Sequence, residues 1–307
     1  MRYPRLFWEN ENGLSAEFSV YSPDYFCNVQ RDVTGLSDVT AKINTISNVG
    51  QDGETETSVY LDPRTITIKG SLRSGDYALQ REIIQRLNRI LDPHAAGTLT
   101  YSLEDIHRSI HCRASAAPRW DWKKIRPEFT VTFFCADPYW ADRVINRIRL
   151  TGQKTAFHFP FPSYSDALDQ SFASIWGWPL IFGTRVTAPI ISFSNESDTE
   201  VGMTWTLEAL GKIVSPKLTH IESGLYLELN LTMVKGDILT VTTAYGKKRA
   251  VLNHCGVSSN VYSRIVLGST FFQLARGINN LKFTARSGSS KSNCFVNYES
   301  RYLGVGL

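Results

Sequence analysis

Along much of the chain, apolar side chains recur at every second residue, and that period predicts β-strands. In EFTVTFFC, Phe129, Val131, Phe133 and Cys135 share one face while Thr130 and Thr132 take the other. In LYLELNLTM, Leu225, Leu227, Leu229, Leu231 and Met233 alternate in the same way with Tyr226, Glu228, Asn230 and Thr232. Shorter strands are expected over Leu14–Val20, Val39–Ile46, GTLTY, IHRSIHCRA, ILTVTT and AVLNH, separated by turn signals such as Gly236-Asp237 and AYGKKR. One stretch breaks the rule. Between Asp76 and Pro93, Leu79, Ile83, Ile84, Leu87, Ile90 and Leu91 recur at helical spacing, with Arg81, Gln85, Arg86 and Arg89 mostly off that stripe. Asp76 is placed to cap the helix and Pro93 to stop it.

These patterns predict a mainly β protein with one clear helix. A first domain over 1–150 carries the helix, which packs its stripe on a sheet. A second domain over 190–307 has short strands with no helix between them, which argues for an antiparallel sandwich. Between them, 151–189 loses all period. It holds prolines at 160, 162, 179 and 189 and many aromatics, as in IWGWP, and reads as an extended connector pressed onto protein surface.

The chain has 307 residues, 42% hydrophobic and 20% charged, with a net charge of +4 at pH 7. That is a globular composition, without the basic excess expected of a nucleic-acid binder. No apolar run approaches the roughly 20 residues that span a bilayer. The N-terminus lacks the apolar stretch of a signal peptide, so synthesis in the cytoplasm is expected.

Signatures of chemistry are missing from the pattern: there is no GxSxG, GxGxxG, P-loop or HExxH. No enzyme activity and no cofactor are expected. His107, His111 and Cys112 would cluster only on a helix. On a strand, four residues span about 13 Å, too far for one ion, so no metal site is expected. His254 and Cys255 are expected on opposite faces of a strand. The five cysteines, at 27, 112, 135, 255 and 294, form no framework and are expected as reduced, buried thiols. The acidic residues Glu104, Asp105, Asp137 and Asp142 are scattered among turns. The pair in RWDWKK could stack on sugar rings or bases, or pack at a boundary; packing is the expected role.

One segment calls for a different explanation. In GQDGETETSVYLDPRTITIKG, residues 50–70, a glycine-flanked polar run precedes a clear strand bearing Ile66 and Ile68. Residues 54–58 offer almost nothing to a core. The run is either a solvated hairpin tip or an arm meant for a partner.

The ordered series of motifs resembles the distal tail protein of siphophage-type tails. In the first half it comprises the polar arm, LDPRTITIKG, QREIIQRLNRIL, GTLTY and FTVTFFCADPYW. In the second half the resemblance lies in SPKLTHIESGLYLELNLTMVKGDILTVTTAYGKKRAVL, SSNVYSRIVLGSTFFQLARGINNLKF and YESRYLGV. The resemblance implies a β-sandwich-like N-terminal tail domain with an extended hairpin near 48–62, called the belt, and a galectin-like C-terminal sandwich. It implies a structural role in the virion: a ring, a hexamer, at the tail tip, joining the tail tube to the host-adhesion device. The partners it implies are further copies of the chain, the tail tube protein, a tail-associated tip protein, and baseplate or receptor-binding proteins, with DNA only as cargo and no membrane insertion. The subunit interface would involve Gly50, Asp52, Gly53, Glu54, Thr55, Glu56, Thr57, Ser58, Val59, Tyr60 and Arg64. The rival reading is a carbohydrate-binding β-sandwich module of an adhesion complex.

Overall fold

The computed structural model describes residues 4–19, 28–29, 33–50, 52–72, 76–122, 127–151, 153–157, 182–185 and 190–306. Most described residues lie in strands, and the α-helix at Tyr77–Ile90 stands among them. The chain divides into two compact units, Met1–Val144 with Glu299–Leu307, and Ile145–Tyr298. The last nine residues, expected in the second domain, therefore group with the first unit.

In the first unit, the strands at Ile106–Ala114, Ala96–Leu103, Arg5–Asn10, Ser15–Ser19, Asn28–Val29, Arg64–Ser71 and Glu128–Cys135 follow one another by hydrogen bonding. The pairing of Phe133 with Ala114 then joins the last strand back to the first and closes the series on itself. Closure removes the open edges that would otherwise pair with other chains. Inward residues alternate along each strand: Leu6 and Trp8, Ile66 and Ile68, Phe129, Val131, Phe133 and Cys135 are all buried in one core. Trp8 and Phe133 set the centre, their ring centroids 4.8 Å apart. The strand at Arg5–Asn10 is not among the expected elements, although its alternating Leu6 and Trp8 carry the period.

Asp76 caps the helix, its carboxylate accepting from the Ala78 N–H at 2.9 Å. The buried face is Gln80, Ile83, Leu87 and Ile90; Leu79, expected on the stripe, is exposed. At the far end, the Ile90 carbonyl accepts from the Trp8 indole at 3.4 Å and the Asn10 amide at 3.1 Å. Those bonds satisfy a carbonyl that the helix itself leaves open. The helix is thus fixed to the sheet at its C-terminal end.

The second unit holds two antiparallel sheets. One runs Val257–Asn260, Arg249–His254, Ile238–Thr242, Met203–Ala209 and the first part of Ser292–Tyr302. The other runs Ile190–Asn195, Gly277–Ser287, Ile213–His220 and Tyr226–Glu228, with Thr232–Met233 also on Ile213–His220. Trp205 of the first sheet and Phe283 of the second meet at 6.2 Å in a shared core, as in a sandwich. The expected unbroken strand from Leu225 to Met233 is interrupted. Leu229 bridges Ile265 and the Asn230 N–H donates to the Arg264 carbonyl, so the edge changes partner part-way. Leu227, Leu229 and Met233 are nonetheless buried. A separate ribbon pairs Gln153–Phe157 with Phe182–Arg185; apart from Thr151, the rest of the connector, including Trp176 and Trp178, lies outside the described residues.

Candidate functional site: an exposed hairpin arm

Ala41–Ile46 and Thr55–Leu61 form a two-stranded antiparallel sheet of their own. The expected polar run is therefore the second strand and tip of a longer hairpin, whose first strand is AKINTI. At the tip, Gly50 and Gly53 adopt φ of 85° and 82°, values that L residues rarely hold. Nothing crowds either glycine, so backbone conformation alone requires them. At the base, the Asp62 N–H donates to the Thr40 carbonyl at 2.9 Å and ties the two strands together. Opposite the step from Asn44 to Thr45, the second strand carries one extra residue, a bulge that twists the ribbon.

The arm's two faces differ. On one, the Asn44 amide donates to Ser58 Oγ at 3.0 Å and to the Tyr60 hydroxyl at 2.9 Å. The Thr57 hydroxyl donates to the Asn44 carbonyl, and Thr45 bonds Glu54 near the tip. On the other, Ile43 lies directly across from Val59 and Ala41 across from Leu61. Ile43 remains 55% exposed and Val59 50%. Asp52, Glu54 and Glu56 project at and near the tip, all exposed. An isolated two-stranded hairpin is marginal in water. Exposed apolar residues backed by a tight polar network are what a docking element presents.

Of the residues expected at the interface, Gly50, Asp52, Gly53, Glu54 and Thr55 to Tyr60 all lie on this arm. Arg64 does not. It is 3% exposed, and its guanidinium donates to the carbonyls of Gly35 at 2.8 Å, Leu36 at 2.9 Å, Pro138 at 2.8 Å and Leu303. Burial lowers its pKa, while Cys135 and Asp38 act against that shift. Three residues beyond the arm, Arg64 has entered the barrel strand, where inward positions belong to the core. The residues that sequence reasoning left out are Ala41, Ile43 and Ile46; the signal was a predicted strand, next to glycine turns, without a buried face.

Other sequence candidates are dispersed. His107 and His111 lie on one strand, and His107 bonds Ser102 at 3.0 Å. Trp120 packs on Phe129 at 5.6 Å, while Trp122 beside it is exposed. Cys112, Cys135 and Cys294 are buried, but Cys255 is exposed in a turn at φ 49°, with its sulfur 3.9 Å from His254 Nε2. That corrects the expected opposed placement, because the strand ends at His254. Cys27 lies outside the described residues.

The two units correspond to two known domains. Residues 25–135 match the phage tail protein RIFT-related domain, and residues 196–302 match the siphovirus-type tail component, C-terminal domain. The chain belongs to the siphophage-type distal tail family. The family's members are structural components of the tail. No curated protein matches the sequence. Among solved structures, the fold is similar to the Dit protein of phage SPP1, described as a paradigm of the hub adsorption apparatus in phages infecting Gram-positive hosts. That match has a TM-score of 0.65 at 13% identity, covering 96% of this chain and 98% of that one. A chain of the phage p2 baseplate in its activated conformation with Ca aligns over 98% of both chains, with a TM-score of 0.47 and 11% identity. In the family's terms, the arm is an extension of the RIFT-related barrel, inserted between its strands at Asn28–Val29 and Arg64–Ser71.

Proposed function

We propose that the chain forms a closed ring at the tail tip, a hexamer, which joins the tail tube to the adhesion device and leaves a channel for DNA. Its role is structural, without catalysis. The observation that carries this reading is the arm, a self-paired ribbon with Ile43 and Val59 exposed, projecting from a tail-family barrel. Ordering such an arm costs about 1–2 kcal/mol per residue of backbone entropy. Contacts with a neighbouring copy would offset that cost, and repeating one such heterologous contact around an axis closes a ring. The similarity in fold to the SPP1 hub protein supports the same reading. The other partners proposed are the tail tube protein, a tail-associated tip protein, and baseplate or receptor-binding proteins, with the protein made in the host cytoplasm and carried in the virion.

The test is negative-stain electron microscopy of the purified chain beside a variant in which 47–54 and the flanking strands are replaced by a short Gly-Ser turn. Rings with the full chain, and single particles of unchanged melting behaviour with the variant, are expected. Rings from both would return the arm to the status of a solvated hairpin.

A carbohydrate-binding role has one local observation in its favour. Tyr262 and Phe271 stack at 5.5 Å, and Lys248 lies near both Phe271 and the exposed Tyr245. Glycan-array binding that is lost on Tyr262→Ala and Tyr245→Ala would support it.

A further inference from the structure

In the second unit, the strands Arg249–His254 and Val257–Asn260 are joined by a two-residue turn, Cys255-Gly256, with φ of 49° and 83°. Turns with both central residues at positive φ favour Asn-Gly, because a Cβ in that conformation is strained. Cysteine is a costly choice there, and it leaves the thiol exposed at the tip of the hairpin. Cys112, Cys135 and Cys294 are buried, so none of these thiols can meet Cys255 in the folded chain.

Two side chains give that thiol a base and hold the base in place. The register that pairs Ile238 with Asn253 brings Asp237 level with His254. His254 Nδ1 lies 2.6 Å from Asp237 Oδ1, and Cys255 Sγ lies 3.9 Å from His254 Nε2. Asp237 is itself fixed: its side chain is 5% exposed, and its other oxygen accepts from the Val234 N–H at 2.9 Å. A carboxylate at Nδ1 keeps the ring proton on that nitrogen, so the Nε2 lone pair is turned to the thiol. The His254 side chain is 58% exposed, which leaves room for a reagent beside the sulfur. A nucleophile, a base within reach and a buried acid orienting the base form the series that makes a thiol reactive.

We propose that Cys255 is a modification site that takes up a low-molecular-weight disulfide as a mixed disulfide, with His254 as its base and Asp237 positioning His254. The thiol proton passes to His254 Nε2. The Cys255 sulfur attacks one sulfur of the disulfide, the S–S bond of the reagent breaks, and a new S–S bond to Cys255 forms. The departing thiolate takes the proton from His254. Cys255 is thereby oxidised, and the released half of the reagent is reduced to a thiol. The reaction is stoichiometric. It leaves a small group at the tip of a hairpin whose second strand, Val257–Asn260, is exposed throughout, so no packed surface has to open. The site is independent of the ring reading above.

The test uses the full-length chain carrying Cys27→Ser, with glutathione disulfide as the probe and intact-mass spectrometry to follow the rate. A control thiol is supplied by Cys255→Asn with Ser258→Cys, on the same hairpin but paired with Asn253 instead of His254. Cys255 should gain one glutathionyl group about tenfold or more faster than the control, and a reductant should remove it. His254→Gln should bring the rate down to that of the control with the melting curve unchanged. Asp237→Asn should slow the reaction as well, and nitrogen-15 spectra should show His254 losing the Nδ1–H tautomer that it holds in the parent chain. A Cys255 rate equal to the control's, a rate unaltered by His254→Gln, or a parent imidazole protonated at Nε2 alone would overturn the proposal.

Discussion

Arg64 shows how a single side chain can look like a surface contact and prove to be internal scaffolding. Its guanidinium takes up four carbonyls, from Gly35, Leu36, Pro138 and Leu303, on three segments far apart in sequence. A planar fork with five donors suits this task, and lysine does not. Arg64→Met takes the guanidinium from those acceptors, of which Leu36 keeps the Trp140 indole at 3.0 Å, at about 1–3 kcal/mol for each of the others that water does not reach. The expected result is a melting temperature lower by several degrees, with Arg64→Lys in between; assembly should weaken only in step with stability. Gly35 belongs to the same knot. Its φ is 87°, and a Cβ there would lie 2.0 Å from the Thr65 carbonyl oxygen, so Gly35→Ala should be at least as damaging. The thiols provide a second residue-level test. Burial raises the pKa of Cys294, and contact with Cys135 together with burial raises that of Cys112. Both stay protonated, and so unreactive, far above neutral pH. Iodoacetamide at pH 7.5 should label exposed Cys255 in the folded protein and spare Cys112 and Cys294, which react only after denaturation. Early labelling of Cys112 would mean that the barrel opens locally.

Elements were legible in the sequence where one face is buried and the other is not. Glu128–Cys135 obeys its alternation residue by residue, and Tyr77–Ile90 begins at the cap its sequence announces. Where tertiary context decides, the pattern fell short. Gln80 is buried and Leu79 is exposed, because the helix turns toward the strands according to the whole packed face rather than to each residue's hydropathy. The strand expected from Leu225 changes partner after Glu228, a choice made by the segment around Arg264 and Ile265 and invisible in the alternation itself. The arm was legible only by half. Its tip has the glycines and carboxylates of a loop, but AKINTI reads as an ordinary strand, and nothing local shows that its ladder partner is the arm rather than the barrel. The helix offers a direct check on how much its cap contributes. Asp76→Ala removes the acceptor for the Ala78 N–H and should cost about 1 kcal/mol. Thermal melting of the full chain, followed by circular dichroism, reads that loss directly.

At the scale of the whole molecule, the first unit is discontinuous in sequence. The chain leaves it after Val144, builds the second unit, and returns at Glu299. What returns is not a loose end. Val305 is fully buried in the first core, Leu303 accepts from Arg64, and Gly304 accepts from Arg108, whose guanidinium also lies 3.7 Å from the centre of the Tyr302 ring. Arg301 pairs with Asp137 at 2.9 Å. Burial of Val305 alone contributes about 1.5–3 kcal/mol, and the arginines would lose acceptors as well. A chain ending at Tyr298 should therefore keep the second unit and lose much of the first. Calorimetry should show one transition nearly unchanged and the other at lower temperature or absent. The decisive comparison is between residues 1–144 alone and the same residues joined through a flexible Gly-Ser linker to 299–307. The fused form should melt cooperatively and the shorter one should not, since the linker restores the buried Val305 and the carbonyls that Arg64 and Arg108 require. Because the arm belongs to this unit, the fused form should also assemble, with half-assembly near that of the full chain. Equal cooperativity in the two fragments would show that the returning segment lies on a barrel already complete without it.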